Sequence, residues 1–152
     1  MSAPYPGGCQ CGAVRYEIVQ EPAGYYVCHC TDCQRQSGSA FGMSMRVKAE
    51  AMHFTKGEPK TFITHGESGR PKSCAFCADC GTRLYHAFGT AVSPWFTVKP
   101  GTLDNPRQFA PIAHIWTRSA QPWMVFDETV PRFEKQPPEL TTLERLWAER
   151  GK

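Results

Sequence analysis

The sequence predicts a mainly β protein of short antiparallel strands, with one short helix at its C-terminal end. Three observations carry that prediction. Several short stretches alternate apolar and polar side chains, the period of a half-buried strand. The chain holds 13 Gly and 13 Pro, which cut it into short elements and disfavour long helices. Helical periodicity with a clear start signal is confined to the C-terminal end.

At 152 residues, a single domain over 1–152 is expected, with a core over about 5–135 and a helix over about 141–150. A chain of this size buries about two-thirds of its unfolded surface, enough for a core. Apolar residues make up 41% and charged residues 20%, a globular rather than a disordered balance. The net charge of +3 comes from scattered Lys and Arg with no basic run, so no nucleic-acid partner is expected. No window approaches the ~20 apolar residues of a membrane helix, so no membrane partner is expected either. Met1 to Gly8 shows no basic region and no apolar run, hence no signal peptide, and a cytoplasmic location follows as the expectation. In that reducing compartment, eight cysteines point to metal or catalysis rather than to a disulfide framework.

Taken in order, Ala13 to Ile18 alternates, with Val14, Tyr16 and Ile18 on one face. Gln20 to Gly24 reads as a turn, and Tyr25 to Cys28 as a second strand. Thr31 to Gln36 reads as a helical turn capped by Thr31 and stopped at Ser37-Gly38. Ala40 to Val47, Met52 to Thr55 and Thr61 to Thr64 return to strand, and Gly66 to Lys72 is a polar loop. Strands follow at Thr82 to His86, Pro94 to Val98, His114 to Thr117 and Trp123 to Phe126. In the helix, Thr141-x2-Glu144 fits a capping box, and Leu143, Leu146 and Trp147 form an apolar stripe.

The cysteines form three groups. Cys77-Ala78-Asp79-Cys80-Gly81 has the form of a zinc knuckle, two thiolates gripping one ion while Gly81 accepts the positive φ of the turn. A structural zinc takes four ligands, and Cys9-x-Cys11, flanked by Gly7, Gly8 and Gly12, is the natural other half. Cys28, Cys30 and Cys33 remain as a separate trio. Three protein ligands with one open position is the arrangement of catalytic zinc. Two alternatives stay open: a second structural zinc completed by Cys74 or a histidine, and a redox dithiol of Cys30 and Cys33. Cys74 reads first as a small buried hydrophobe, with a resolving thiol or a ligand that closes one site as the alternatives. His29, between two ligands, is expected to point away from them into packing, and His53, His65, His86 and His114 look isolated. Trp95, Phe96, Trp116 and Trp123 read most simply as core, the alternative being that one or two of them wall the pocket.

With these residues in hand, the chain resembles the glutathione-dependent formaldehyde-activating enzyme family, to which the zinc domain of centromere protein V is related. The matching stretches are GGCQCGAVRYE at 7–17, CHCTDCQRQSGSAF at 28–41 and FCADCGTRLY at 76–85, followed by the aromatic-rich C-terminal third. The resemblance implies a β-tent zinc fold. It implies a structural zinc on Cys9, Cys11, Cys77 and Cys80, and a catalytic zinc on Cys28, Cys30 and Cys33. The implied activity is a carbon–sulfur lyase-type reaction, condensation of glutathione with formaldehyde to S-(hydroxymethyl)glutathione. Its partners are therefore a small thiol and a small aldehyde. Arg35, Arg46, Arg70 and Lys72 are candidates by position for carboxylates of such a thiol. The competing reading is a non-catalytic β-tent binding module with both zincs structural.

Overall fold

A computed structural model describes residues 2–89, 92–139 and 141–151. The fold is mainly β, with two α-helices among the described residues, one of them at the C-terminal end. Its contacts divide into two compact units: one holds the chain through Pro22 and again Arg46–Gln108, the other Ala23–Met45 and the chain from Phe109 onward.

In the first unit, β1 (Tyr5–Gly8), β2 (Arg15–Ile18) and β5 (Met52–Lys56) form an antiparallel sheet in the order β1-β2-β5. The alternation read in the sequence is realised in β2: Tyr16 and Ile18 are buried, while Arg15 and Glu17 turn outward. Burying a side chain such as Ile18 contributes about 1.5–3 kcal/mol. Strand β1 was not expected, because Pro6-Gly7-Gly8 carries no alternation. It exists because β2 supplies a ladder, with Gly7 opposite Tyr16. A Cβ on Gly7 would lie 2.5 Å from the Tyr16 ring, so only glycine fits there.

Four further antiparallel strands of this unit, β6 (Lys60–His65), β7 (Pro71–Phe76), β8 (Arg83–Phe88) and β9 (Trp95–Val98), lie in the order β9-β8-β7-β6. Strand β7 takes in Pro71 and Lys72, expected in the preceding loop. Leu84, Cys74, Ala75 and Val98 are its core contribution. Strand β4 (Gly42–Lys48) carries the chain from the second unit into the first.

In the second unit, β3 (Gly24–Cys28) pairs with β10 (His114–Ile115). The pair is parallel, where antiparallel pairing was expected. Helix α1 (Thr31–Ser37) follows β3 directly. Helix α2 (Thr141–Glu149) buries Leu143 and Trp147 as its stripe predicts, with the Phe109 ring 5.8 Å from that of Trp147. Strand β10 is short because Trp116 adopts a left-handed backbone, φ 57°, and a 3-10 turn over Thr117–Ser119 follows.

Two expectations are overturned in this unit. Trp123 to Phe126 is not a strand: the chain turns there, with the Met124 N–H donating to the Gln121 carbonyl. Its alternation finds no pairing partner among the described residues, and Trp123, expected in the core, is 66% exposed. The cap of α1 is Cys30 rather than Thr31, since the Cys30 sulfur accepts the Cys33 N–H. The stop at Gly38 is as read, with φ 59°.

Candidate metal centres and the trio site

The first unit gathers Cys9, Cys11, Cys77 and Cys80, with all four sulfurs within 4.8 Å of one another. Two matching turns place them. After β1, the Cys9 N–H donates to the Val14 carbonyl and the Gly12 N–H returns to the Cys9 carbonyl. After β7, the Cys77 N–H donates to the Thr82 carbonyl and the Gly81 N–H returns to the Cys77 carbonyl. Gly12 and Gly81 take φ of 75° and 74°, the left-handed backbone that glycine adopts without strain. A bond from the Gln10 N–H to the Thr82 hydroxyl, 3.2 Å, ties the two turns together.

This donor set fits zinc. Thiolates about 2.3 Å from a tetrahedral ion sit about 3.8 Å apart. The Cys9 and Cys11 sulfurs are 3.5 Å apart, and those of Cys11 and Cys77 3.8 Å. The charges are arranged for a cation as well. The Thr82 hydroxyl and backbone N–H bring Cys80 down to about 5. Cys11, despite the downward pull of the Ala13 backbone N–H, is pushed up to about 12 by the Cys9 and Cys80 sulfurs. Neighbouring thiolates oppose one another's ionisation, and a cation among them removes that opposition.

The second unit gathers Cys28, Cys30 and Cys33, again with sulfurs within 4.8 Å. Among the described residues no fourth His, Cys, Asp or Glu joins them. Cys28 ends β3, Cys30 caps α1, and Cys33 stands in its first turn, so the strand-to-helix junction converges three sulfurs. Cys28 and Cys33 are buried against Ala113, Ile115 and Leu143, and Cys30 is half-buried. Hydrogen bonds with the Cys30 and Cys33 sulfurs, then burial, raise Cys28 far above the ordinary thiol range. Here too the donor set suits a soft divalent cation.

His29 points into packing, as its position between two ligands predicts. It is fully buried, its ring edge-on to Phe41 and Phe126 at 5.6 and 5.3 Å. It is not isolated, and neither is His114: His29 Nε2 and His114 Nδ1 lie 2.9 Å apart. Burial, then the His114 charge, lowers His29 to about 4. Gln34 on α1 donates to the carbonyls of His29 and Ser119 at 2.7 and 2.8 Å, and its own carbonyl accepts from Gln121. This clamp fixes α1, and with it Cys33, on the loop after β10. Sequence reasoning missed it, because its partners lie 85 and 87 residues away and no local pattern marks them. Gly42 was also missed; it lies against Cys33, where a Cβ would come 3.0 Å from that residue's Cβ.

Cys74 joins neither cluster. It is fully buried on β7, opposite His86. Of the basic candidates, Arg46 lies over the Trp95 ring at 4.3 Å and Arg70 over that of Phe88 at 5.1 Å. Arg35 is exposed and Lys72 buried. No helix among the described residues is long and apolar enough to cross a membrane.

Comparison with known proteins bears on the fold and on the family. A crystal structure of a Rhodobacter sphaeroides protein shares the fold, with a TM-score of 0.51 at 20% identity over 70% of this chain and 91% of that one. An uncharacterized lyase of Schizosaccharomyces pombe is 27% identical over 97 residues, 60% of this chain. The match spans 64% of that relative's length, just under two-thirds. The sequence model of glutathione-dependent formaldehyde-activating enzymes matches residues 4–119, a run that includes both cysteine clusters. The chain therefore belongs to the glutathione-dependent formaldehyde-activating enzyme family.

Proposed function

We propose that this chain is a zinc-dependent, cytoplasmic enzyme of the carbon–sulfur lyase type. It would join a small thiol to a small aldehyde, with glutathione and formaldehyde as the reference pair. The observation that carries this reading is the inequality of the two clusters. Four sulfurs converge in the first unit, enough to close a tetrahedral ion. Three converge in the second, which leaves one position for a substrate. Cys9, Cys11, Cys77 and Cys80 are then ligands of a structural zinc, and Cys28, Cys30 and Cys33 of a catalytic one. Because the family match runs through both units, we take 1–152 as one functional domain.

The reaction forms one C–S bond. The thiol sulfur attacks the carbonyl carbon, the thiol gives up its proton, and the former carbonyl oxygen takes one up. Zinc bound at the trio would supply thiol activation, by favouring the thiolate of an entering thiol. The chain's own residues hold and orient. Cys30, half-buried beside its buried neighbours, marks the accessible side. Gln34 and its partners fix α1, so the trio is placed before substrate arrives. Ile115, Ala113 and Leu143 wall the inner side and keep water from it.

The burial of Cys28 and Cys33 favours a second reading, in which both metals are structural and the chain is a binding module. One experiment separates the two. NMR exchange measurements on thiol and aldehyde pairs should show a rate above the uncatalysed background, lost in Cys30→Ser while the fold is kept. No rate above background for any pair, or four sulfurs around every zinc by X-ray absorption, would leave the binding module.

A further inference from the structure

The segment Cys28-His29-Cys30 carries two sulfurs of the trio on one face and a histidine pair on the other. In the parallel pairing of β3 with β10, Ile115 stands opposite Cys28 and shares its buried cluster. His114 stands opposite Val27, on the other face. His29, two residues after Val27, returns to that face, one diagonal step from His114. The two rings meet there, with His29 Nε2 2.9 Å from His114 Nδ1 and the ring planes tilted by 31°. The Phe126 ring stands edge-on to both, at 5.3 and 5.1 Å, and Phe41 adds an edge contact to His29 at 5.6 Å.

Stability does not explain this pair. His29 is fully buried, and among the described residues no donor or acceptor reaches its Nδ1. One hydrogen lies between His29 Nε2 and His114 Nδ1. If His114 supplied it, His29 Nδ1 would carry a buried N–H with no acceptor. If His29 supplies it, Nδ1 keeps only a bare lone pair, the smaller loss. The network therefore assigns His29 as donor and His114 as acceptor. Either way one buried nitrogen goes unmet, a cost that two apolar side chains of the same shape would not carry. Direction is what apolar packing cannot supply. Burial is indifferent to small rotations, whereas a hydrogen bond weakens steeply as its angle bends. A directional anchor on one face of an extended segment fixes the rotation of the residues on either side, which point to the other face.

We propose that His114 is a positioning residue for the trio: by accepting the His29 hydrogen bond, it holds Cys28-His29-Cys30 at the rotation that turns both sulfurs toward one ion. Backbone bonds to Ile115 and from Gln34 fix where the segment lies, and the imidazole contact sets its rotation. Neither histidine is a ligand, since both stand on the face opposite the sulfurs. The proposal rests on the reading of the trio as a metal site, and on nothing about the reaction carried out there.

The test uses the full chain with cadmium at both sites, because the cadmium NMR resonance separates four-sulfur from three-sulfur coordination. Chelator competition reads each site's affinity, and urea midpoints read stability. His114→Leu should weaken the three-sulfur site about tenfold or more and shift its resonance. The four-sulfur site shares no residue with the pair and should change less than about twofold. His114→Asn keeps an acceptor oxygen in the place of Nδ1 and should bind within about threefold of the parent, a result that decides the question even if His114→Leu does not fold. The signature is the double variant His29→Leu/His114→Leu. Its midpoint should equal or exceed the parent's while the three-sulfur site stays weakened about tenfold. A double variant with the parent's affinity, or with a midpoint below the parent's, reduces the pair to packing and overturns the proposal, as does a His114→Asn variant weakened tenfold. A parent showing only the four-sulfur resonance defeats the metal reading and this proposal with it. A parent showing both, with affinity unchanged in a folded His114→Leu, defeats the proposal alone.

Discussion

Gly42→Ala perturbs the trio without touching a sulfur. The new Cβ would meet the Cys33 Cβ at 3.0 Å, its Sγ at 3.4 Å and its Cα at 3.6 Å. Carbon atoms pack best at about 3.5–4.0 Å, so Cys33 must retreat by at least about 0.5 Å. Retreat is opposed on two sides. The Ser37 hydroxyl bonds the Cys33 carbonyl at 2.8 Å, and the Gln34 clamp holds the neighbouring residue. Overpacking of this kind costs about 1–3 kcal/mol. The alanine returns about 0.4–1 kcal/mol by restricting the unfolded chain. A net loss of about 1–2 kcal/mol is expected, a urea midpoint lowered by roughly 0.5–1 M for a slope near 2 kcal/mol/M. The signature lies in a second measurement, cobalt substitution followed through its sulfur charge-transfer bands. The three-sulfur site should lose affinity while the four-sulfur site keeps it. Gly69→Ala is the control: nothing lies within 4 Å of its new Cβ, but φ is +70°. That variant should lose about 1–2 kcal/mol through its backbone and leave both metal affinities intact. A Gly42→Ala protein with the parent's stability and the parent's cobalt titration would refute the packing argument.

Three further outcomes follow from the same geometry. Cys77→Ser should remove one equivalent of zinc and unfold the first unit, because a structural metal's binding energy is folding energy; circular dichroism and metal content would show both, and a folded variant with full zinc would contradict it. Cys74→Ser should keep the zinc content of the parent and lower stability by about 1–3 kcal/mol, since a hydroxyl replaces a fully buried thiol; a lost zinc equivalent would reassign Cys74 as a ligand. Asp104 is paired with Arg15 at 2.5 and 2.9 Å, and the Arg15 hydrogen bond holds its carboxyl below the usual range. Its stabilisation is therefore present above the unfolded carboxylate value of about 3.9 and is lost as pH falls through the lower folded value. Both side chains are partly exposed, so Asp104→Asn should cost about 1 kcal/mol or less at pH 7 and nothing at the acid end. Urea midpoints across that range would show it, and a cost that persists below the folded value would exclude the pairing.

The parts of this molecule legible in its sequence are those settled by local spacing. The knuckle turn at Cys77 to Gly81 was readable because sulfur placement and the positive φ of Gly81 are both decided within a few residues, whereas Cys9 to Gly12, expected as an extended segment, is a turn as well. The alternation of β2 was readable for the same reason. The Gln34 clamp and the His29–His114 pair were not, since each is completed by a partner 87 or 85 residues away, and strand β1 was not because Pro6-Gly7-Gly8 carries no alternation of its own and takes its ladder from β2. Trp123 to Phe126 failed in the opposite direction, because a strand pattern has no meaning without a neighbour to ladder with.

Cys74 shows the limit most clearly. Cys74-x2-Cys77 repeats the spacing of Cys77-x2-Cys80, and spacing alone cannot say which pair makes the grip. A knuckle requires the chain to turn between its two sulfurs. Residues 74 to 76 cannot turn, because β6 and β8 pair with them from both sides, Phe62 and His86 facing Cys74. Residues 77 to 81 lie beyond both partners and are free to close, the Gly81 N–H returning to the Cys77 carbonyl. The same spacing therefore buries one thiol in a sheet and offers the other two to an ion, and the flanking strands make that choice.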